Sequence, residues 1–231
     1  HCVANRGRAQ GHPQTDPNIV DELAETCIDY CFMGEENETA PYLAGVEKKS
    51  GAYIFTTLDG KTSNYATAFL VGKVKEFGYK RMRFMSDNEA SIKKLKGRVA
   101  ENLPGIEIVP REAPEGDHQA NGTAESAVNT LKSIYRSQKS DLEQKYQCKM
   151  HEKSIILAWL PRHVADMLTR YRVYNDGKTA TQRLTGRKWG RPGLAYGERV
   201  LFRPAVGKKL RQSSTEPRLQ HGIYVGHQNR T

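Results

Sequence analysis

Three carboxylates stand apart from the ordinary surface charge of this 231-residue sequence. Asp29 lies inside the mostly apolar run CIDYCFM of residues 27–33, Asp87 follows the short run RMRFM of residues 81–85, and Glu125 opens a long helical pattern after Asn121-Gly122. An isolated ionised carboxylate among apolar residues is costly unless it is paired or binds a metal. Three of them brought together make an all-oxygen site of the kind Mg²⁺ prefers, with room left for water and phosphate oxygens. Two such ions can activate a nucleophile and hold the leaving oxygen during in-line attack at phosphorus. Spacing alone leaves other roles open: Asp87 before Asn88 as a helix N-cap, Glu125 as first-turn compensation of the helix dipole, and Asp29 as the partner of an arginine.

The elements that must position these acids can be read from periodicity. Residues 27–33 form a buried strand with an acid in it, and 42–47 and 52–58 form a hairpin around the turn signal KKSG. Residues 59–77 carry apolar positions at helical spacing and end near Gly78. A strand at 81–85 leads to a basic helix over 89–102, stopped by Pro104-Gly105, and a further strand covers 106–109. From Ala120 the apolar positions 120, 124, 127, 128, 131, 134 and 135 trace one face of a helix to about Lys139. Another helix covers 154–174, with Pro161 either kinking it or beginning its second half. After Gly177 only short apolar pieces remain, 199–202 and 222–225, between Gly, Pro and basic residues.

Charge is divided along the chain as sharply as pattern. The 36 Lys and Arg against 26 Asp and Glu give +10, but residues 1–130 sum to −4 and residues 131–231 to +14. Residues 177–231 alone hold twelve basic side chains and two acidic ones, Glu198 and Glu216. An acidic front suits cations and a basic tail suits a polyanion, of which nucleic acid is the obvious one, with a solvated face as the plain alternative. Four cysteines show no even framework of the secreted kind, which fits a reducing compartment. Cys27 and Cys31 share a strand face as small core residues. The longest apolar run, 155–160, is far short of the ~20 residues that span a bilayer, so a membrane-spanning helix is excluded. The sequence opens at His1 without initiator Met or leader peptide and is expected to be a fragment or a processed product.

The segments RFMSDNEASI and IEIVPREAPEGDHQANGTAESAVNTLKSIYRS resemble the catalytic core of retroviral and retrotransposon integrases. That family has an Asp on its first strand, an Asp-Asn on its fourth, and a Pro/Gln/Asn-Gly segment leading into a helix with Glu. Asp29, Asp87 and Glu125 fall on those positions at intervals of 58 and 38 residues, and the likeness covers about residues 20–140. The resemblance implies Asp29, Asp87 and Glu125 as catalytic residues and as ligands of two Mg²⁺ or Mn²⁺ ions, with Asp29 bridging them. It implies an RNase H-like α/β core with a mixed sheet, followed by a helical connector and a small basic β-rich domain. Two positions depart from the family. Glu89 stands where Gly is usual and adds negative charge beside the acids, and Asn129 replaces a common basic residue. Lys132 is kept, and Glu125, Asn129, Lys132 and Arg136 share one helix face.

The tail segments TATQRLTGRKWGRPGLAYGERVLFR and PRLQHGIYVGH are similar to the region after the core in copia-type polyproteins. His1 and Cys2 would be the remnant of the family's N-terminal zinc module, but most of its ligands are missing and zinc is not assigned. The expected organisation is therefore a linker over 1–18, a catalytic core over 19–150, a connector over 151–176 and a DNA-binding domain over 177–231. The DNA-contact candidates are Asn121, Asn129, Lys132 and Arg136 at the core and Arg187, Lys188 and Arg191 in the tail. The expected activity is trimming of element DNA ends and attack of the freed 3′-OH on target DNA, by a homo-oligomer in the nucleus. A domesticated copy that binds nucleic acid without cutting, and an RNase H-like nuclease, are the alternatives. Competing motifs fail. Gly60-Lys61-Thr62 lacks the upstream Gly of a phosphate loop because position 55 is Phe55, His151-Glu152 lacks a second His because position 155 is Ile155, and no GxSxG is present.

Overall fold

Apolar runs without strict alternation mark strands covered on both faces. The computed structural model of the chain describes residues 23–34, 40–61, 63–112, 122–204 and 218–227. In it β1 (Glu25–Cys31), β2 (Tyr42–Glu47), β3 (Ala52–Thr57), β4 (Arg81–Ser86) and β5 (Glu107–Glu112) form one mixed sheet in the order β3-β2-β1-β4-β5. β1, β2 and β3 are antiparallel, whereas β4 runs parallel to both β1 and β5. Ile28 and Tyr30 turn to one face with Leu43 and Ile54; Cys31 turns to the other with Ala44 and Phe55. At Gly45 the β1 backbone passes so close that a Cβ would lie 2.3 Å from the Cys27 carbonyl oxygen, which explains a glycine in a buried strand.

Helices close both faces. α1 (Asn64–Phe77) and α2 (Ala90–Glu101) cover the first through Phe69, Leu70, Val74, Ile92, Leu95 and Val99. α3 (Gly122–Tyr146) covers the second through Ala127, Val128, Leu131 and Tyr135. α4 (Ile155–Tyr171) lies along β3, the edge strand, where the Tyr53 N–H donates to Thr169 Oγ1 at 3.0 Å. The edge that would otherwise invite pairing with another chain is thereby covered.

Several element ends differ from expectation for local reasons. α1 begins at Asn64 rather than 59 because Ser63 caps it, its side chain accepting from the Ala66 N–H at 3.2 Å. α3 continues past Lys139 because Leu142 is buried and the Tyr146 hydroxyl donates to the Gly197 carbonyl at 2.6 Å. Pro161 lies inside α4 without ending it, and the helix stops three residues early where Arg172 turns to extended backbone. In the basic tail the described residues form α5 (Ala180–Thr185) and a two-stranded sheet of β6 (Arg199–Phe202) and β7 (Gln220–Ile223). α5 is additional to the expected elements, although Thr179 and Gln182 make a full capping box. Ala180 is buried in the core on the α1/α2 side and Tyr196 on the α3/α4 side, where its hydroxyl donates to the Ile156 carbonyl. The first part of the tail is thus laced to the core before β6 begins.

Candidate active site

Parallel pairing of β1 with β4 places Glu25 opposite Arg83 and Cys27 opposite Met85, an offset of 58 residues. Carried two residues further, that register brings Asp29 level with Asp87. Side chains two apart on a strand share a face, so both acids follow residues of the α3 side. Cys27, Met85 and Ala124 form a small buried cluster of their own. Asp29 and Asp87 each lie two residues beyond a member of this cluster and Glu125 lies one beyond the third. One apolar contact therefore ties together the two strand ends and the helix start that carry the three acids.

Asp29 and Asp87 are half-buried and Glu125 is exposed. Asp29 Oδ1 accepts the Tyr30 N–H at 2.8 Å, and Asp87 Oδ1 accepts the Glu89 N–H at 3.3 Å. Burial pushes the Asp29 carboxyl up to about 6; the negative charge of Asp87 adds to this, the Tyr30 N–H counters it, and Glu89 and Glu125 raise it further. Asp87, Glu89 and Glu125 are thus all within electrostatic reach of Asp29. Among the described residues none of Asp29, Asp87 and Glu125 makes an ion pair, which removes the alternative of Asp29 as an arginine's partner. That role belongs to Glu25, which binds Lys48 at 2.9 Å, Arg83 at 3.2 Å and Arg111 at 3.3 Å. Asp87 is likewise not the N-cap of α2; Glu89 is.

All-oxygen donors and mutual repulsion fit a hard divalent cation. Among the described residues, however, no group of three or more His, Cys, Asp or Glu side chains is closed around a common point. The donor chemistry is present and the coordination shell is not assembled.

The expected DNA contacts fall in two places. Asn121 lies outside the described residues. Asn129 and Arg136 are exposed on α3, and Lys132 is half-buried on the same face. Burial pushes the Cys31 thiol up to about 11 while the Lys132 charge lowers it, so Lys132 is within electrostatic reach of Cys31, two residues beyond Asp29. Arg187, Lys188 and Arg191 are exposed elsewhere. Just ahead of them, Arg183 Nη1 donates to the Ser50 carbonyl at 3.1 Å, in the β2–β3 turn, and Arg191 lies 5.7 Å over Trp189, itself under Arg170 at 4.1 Å. That turn begins where the Lys48 N–H donates to the Glu25 carbonyl, four residues from Asp29. At a strand rise of ~3.3 Å per residue, α5 is anchored at least ~13 Å along the sheet from the acids. The structure gathers Lys132 and Arg136 on the helix that carries Glu125 and sets the tail cations toward the far end.

Glu89 does not add an uncompensated charge. Lys61 Nζ binds its Oε1 at 2.8 Å and Ser91 Oγ donates to the same oxygen at 2.6 Å. Burial alone would raise the Glu89 carboxyl, but these bonds and the Lys61 charge outweigh it and hold it below the ordinary range. Sequence reasoning missed this pair because residues 28 apart in a loop and a helix cap share no periodicity.

No protein-family model and no curated protein matches the chain. Among solved structures, the catalytic core domain of BIV integrase is similar over 70% of this chain and 93% of its own, with a TM-score of 0.50 and 15% identity. The HTLV-2 integrase catalytic core domain, solved in complex with magnesium in a trimeric form, is similar over 69% and 95%, with a TM-score of 0.50 and 16% identity. The fold is therefore the RNase H-like fold of integrase catalytic cores.

Proposed function

We propose that the chain is the integrase of a retrotransposon-like element of copia type, acting on DNA in the nucleus as a homo-oligomer. The observation that supports this most is the placement of Asp29, Asp87 and Glu125 at two adjacent strand ends and a helix start, with Asp87 and Glu125 both in reach of Asp29. In this reading the three carboxylates hold two Mg²⁺ or Mn²⁺ ions, which when bound supply a deprotonated water or 3′-hydroxyl and charge compensation at the leaving oxygen. The Tyr30 and Glu89 N–H groups orient the two aspartates. Lys132 and Arg136 hold phosphates of the strand being processed, with Asn129 on the same helix face and Asn121 as a further DNA contact. Arg187, Lys188 and Arg191 engage DNA away from the acids, where a second duplex or a second stretch of the same one would pass.

A binder that does not cut is the second reading. Incubation of the chain with duplex DNA carrying the element's terminal sequence and Mg²⁺ or Mn²⁺ separates the two. Nicked ends and joined products are expected; tight binding without either product supports the non-cutting reading. An RNA–DNA hybrid in a parallel reaction tests for an RNase H-like nuclease.

A further inference from the structure

Lys61 is clasped by the nearest neighbours of two of the acids. Its ammonium lies 5.6 Å from the centre of the Tyr30 ring and 5.5 Å from that of Phe32, and 2.8 Å from Glu89 Oε1. Its backbone carbonyl accepts the Tyr30 hydroxyl. Tyr30 follows Asp29 directly, Phe32 is three residues beyond it, and Glu89 is two beyond Asp87. Two rings and a carboxylate therefore fix a cation at the end of the sheet where the acids stand.

The side on which it does so matters. Tyr30 packs on the α1/α2 face of β1, opposite the face of Cys31 and α3. Lys132 belongs to α3, on the other side. Lys61 and Lys132 thus stand on opposite sides of the sheet, each tied to residues next to the acids, a disposition suited to holding neighbouring phosphates of one strand. Lys61 is suited to this use. Its side chain is 28% exposed, so a phosphate can reach it, and its partner Glu89 is 34% exposed. Ion pairs this accessible are weak in water and yield to a competing phosphate. Ring faces orient an ammonium without neutralising it.

We infer that Lys61 is a positioning residue that contacts a DNA phosphate beside the acid site, with Glu89 holding it ready when DNA is absent. The inference rests on the integrase reading and adds a phosphate contact on the face opposite Lys132. The test is duplex binding by the full chain in Ca²⁺, with affinity measured against salt, for the wild type, Lys61→Met, Lys61→Arg and Glu89→Gln. Removing one phosphate-binding cation flattens the slope of log affinity on log salt by ~0.9 for duplex DNA. Lys61→Met is expected to flatten the slope by about that amount and to weaken affinity roughly tenfold at moderate salt, while Lys61→Arg keeps the slope. Glu89→Gln should alter affinity in the wild-type background and change nothing further in Lys61→Met. An unchanged slope in Lys61→Met, or equal weakening in Lys61→Met and Lys61→Arg, overturns the inference and leaves the integrase reading standing. Absence of duplex binding by the wild type overturns both, and is read before any substitution is made.

Discussion

Asp29 on β1 and Asp87 beyond β4 are brought level by the same 58-residue offset that pairs Cys27 with Met85. The two acids are not independently placed: any change that slips β4 against β1 moves one past the other. Ala124, in one buried cluster with Cys27 and Met85, sets where α3 starts and so where Glu125 stands. A site built this way depends on small, tightly fitted apolar contacts more than on the acids' own hydrogen bonds.

Gly45 is where that dependence is easiest to probe. A Cβ there would lie 2.3 Å from the Cys27 carbonyl oxygen and 2.9 Å from Ile28 Cγ2, so Gly45→Ala must push β2 away from β1. Overpacking of this kind costs about 1–3 kcal/mol. Urea unfolding should show that destabilisation, and DNA-end processing should fall with it because β1 carries Asp29.

The Asp29 carboxyl has its folded-state pKa raised to about 6, so its charge opposes folding above that pH and the penalty is relieved as pH falls toward the ordinary carboxylate range. At pH 7 with a chelator present, Asp29→Asn should therefore be more stable than the wild type, by on the order of 1–2 kcal/mol after allowance for partial exposure. Added Mg²⁺ should raise the melting temperature of the wild type and leave that of Asp29→Asn in place. A variant that is less stable than the wild type without metal would remove the electrostatic reason for a cation here.

His163 gives a pH dependence of opposite sign. Burial, with the charges of Arg170 and His227, lowers its pKa to about 4, and its Nε2 is buried without a hydrogen-bond partner among the described residues. Between pH 6.5 and 4 the unfolded chain takes up a proton that the folded chain refuses, so stability falls as pH drops through that window. Between about pH 7 and pH 5 the His163 contribution should fall by on the order of 2 kcal/mol, partly offset by the relief at Asp29, and is read in chemical denaturation as the difference in pH dependence between the wild type and His163→Phe.

The sheet was legible because β1 to β4 are apolar runs bounded by turn residues, and the acids stand out because Asp29 interrupts such a run while Asp87 and Glu125 sit where a strand or helix meets a loop. α5 is harder to see because six residues are too few for a periodic stripe, leaving only its capping box as a signal. The far-end position of Arg187, Lys188 and Arg191 is hidden for a different reason. Charge counted along a chain carries no record of which end of the sheet α5 is anchored to, and the Arg183 contact with Ser50 spans 133 residues. Lys61 belongs to a segment that fails as a phosphate loop for want of its upstream glycine, yet it lies against Glu89, the residue that departs from the family pattern.

Joint dependence of cleavage on the three acids is the most direct measurement. Strand transfer by full chains carrying Asp29→Asn, Asp87→Asn or Glu125→Gln, each nearly isosteric and each withdrawing one charge, should fall to background in all three with Mg²⁺ present, while duplex binding and the folded spectrum persist. Near-wild-type strand transfer in any one of them would contradict a shared site at the ends of β1, β4 and the start of α3.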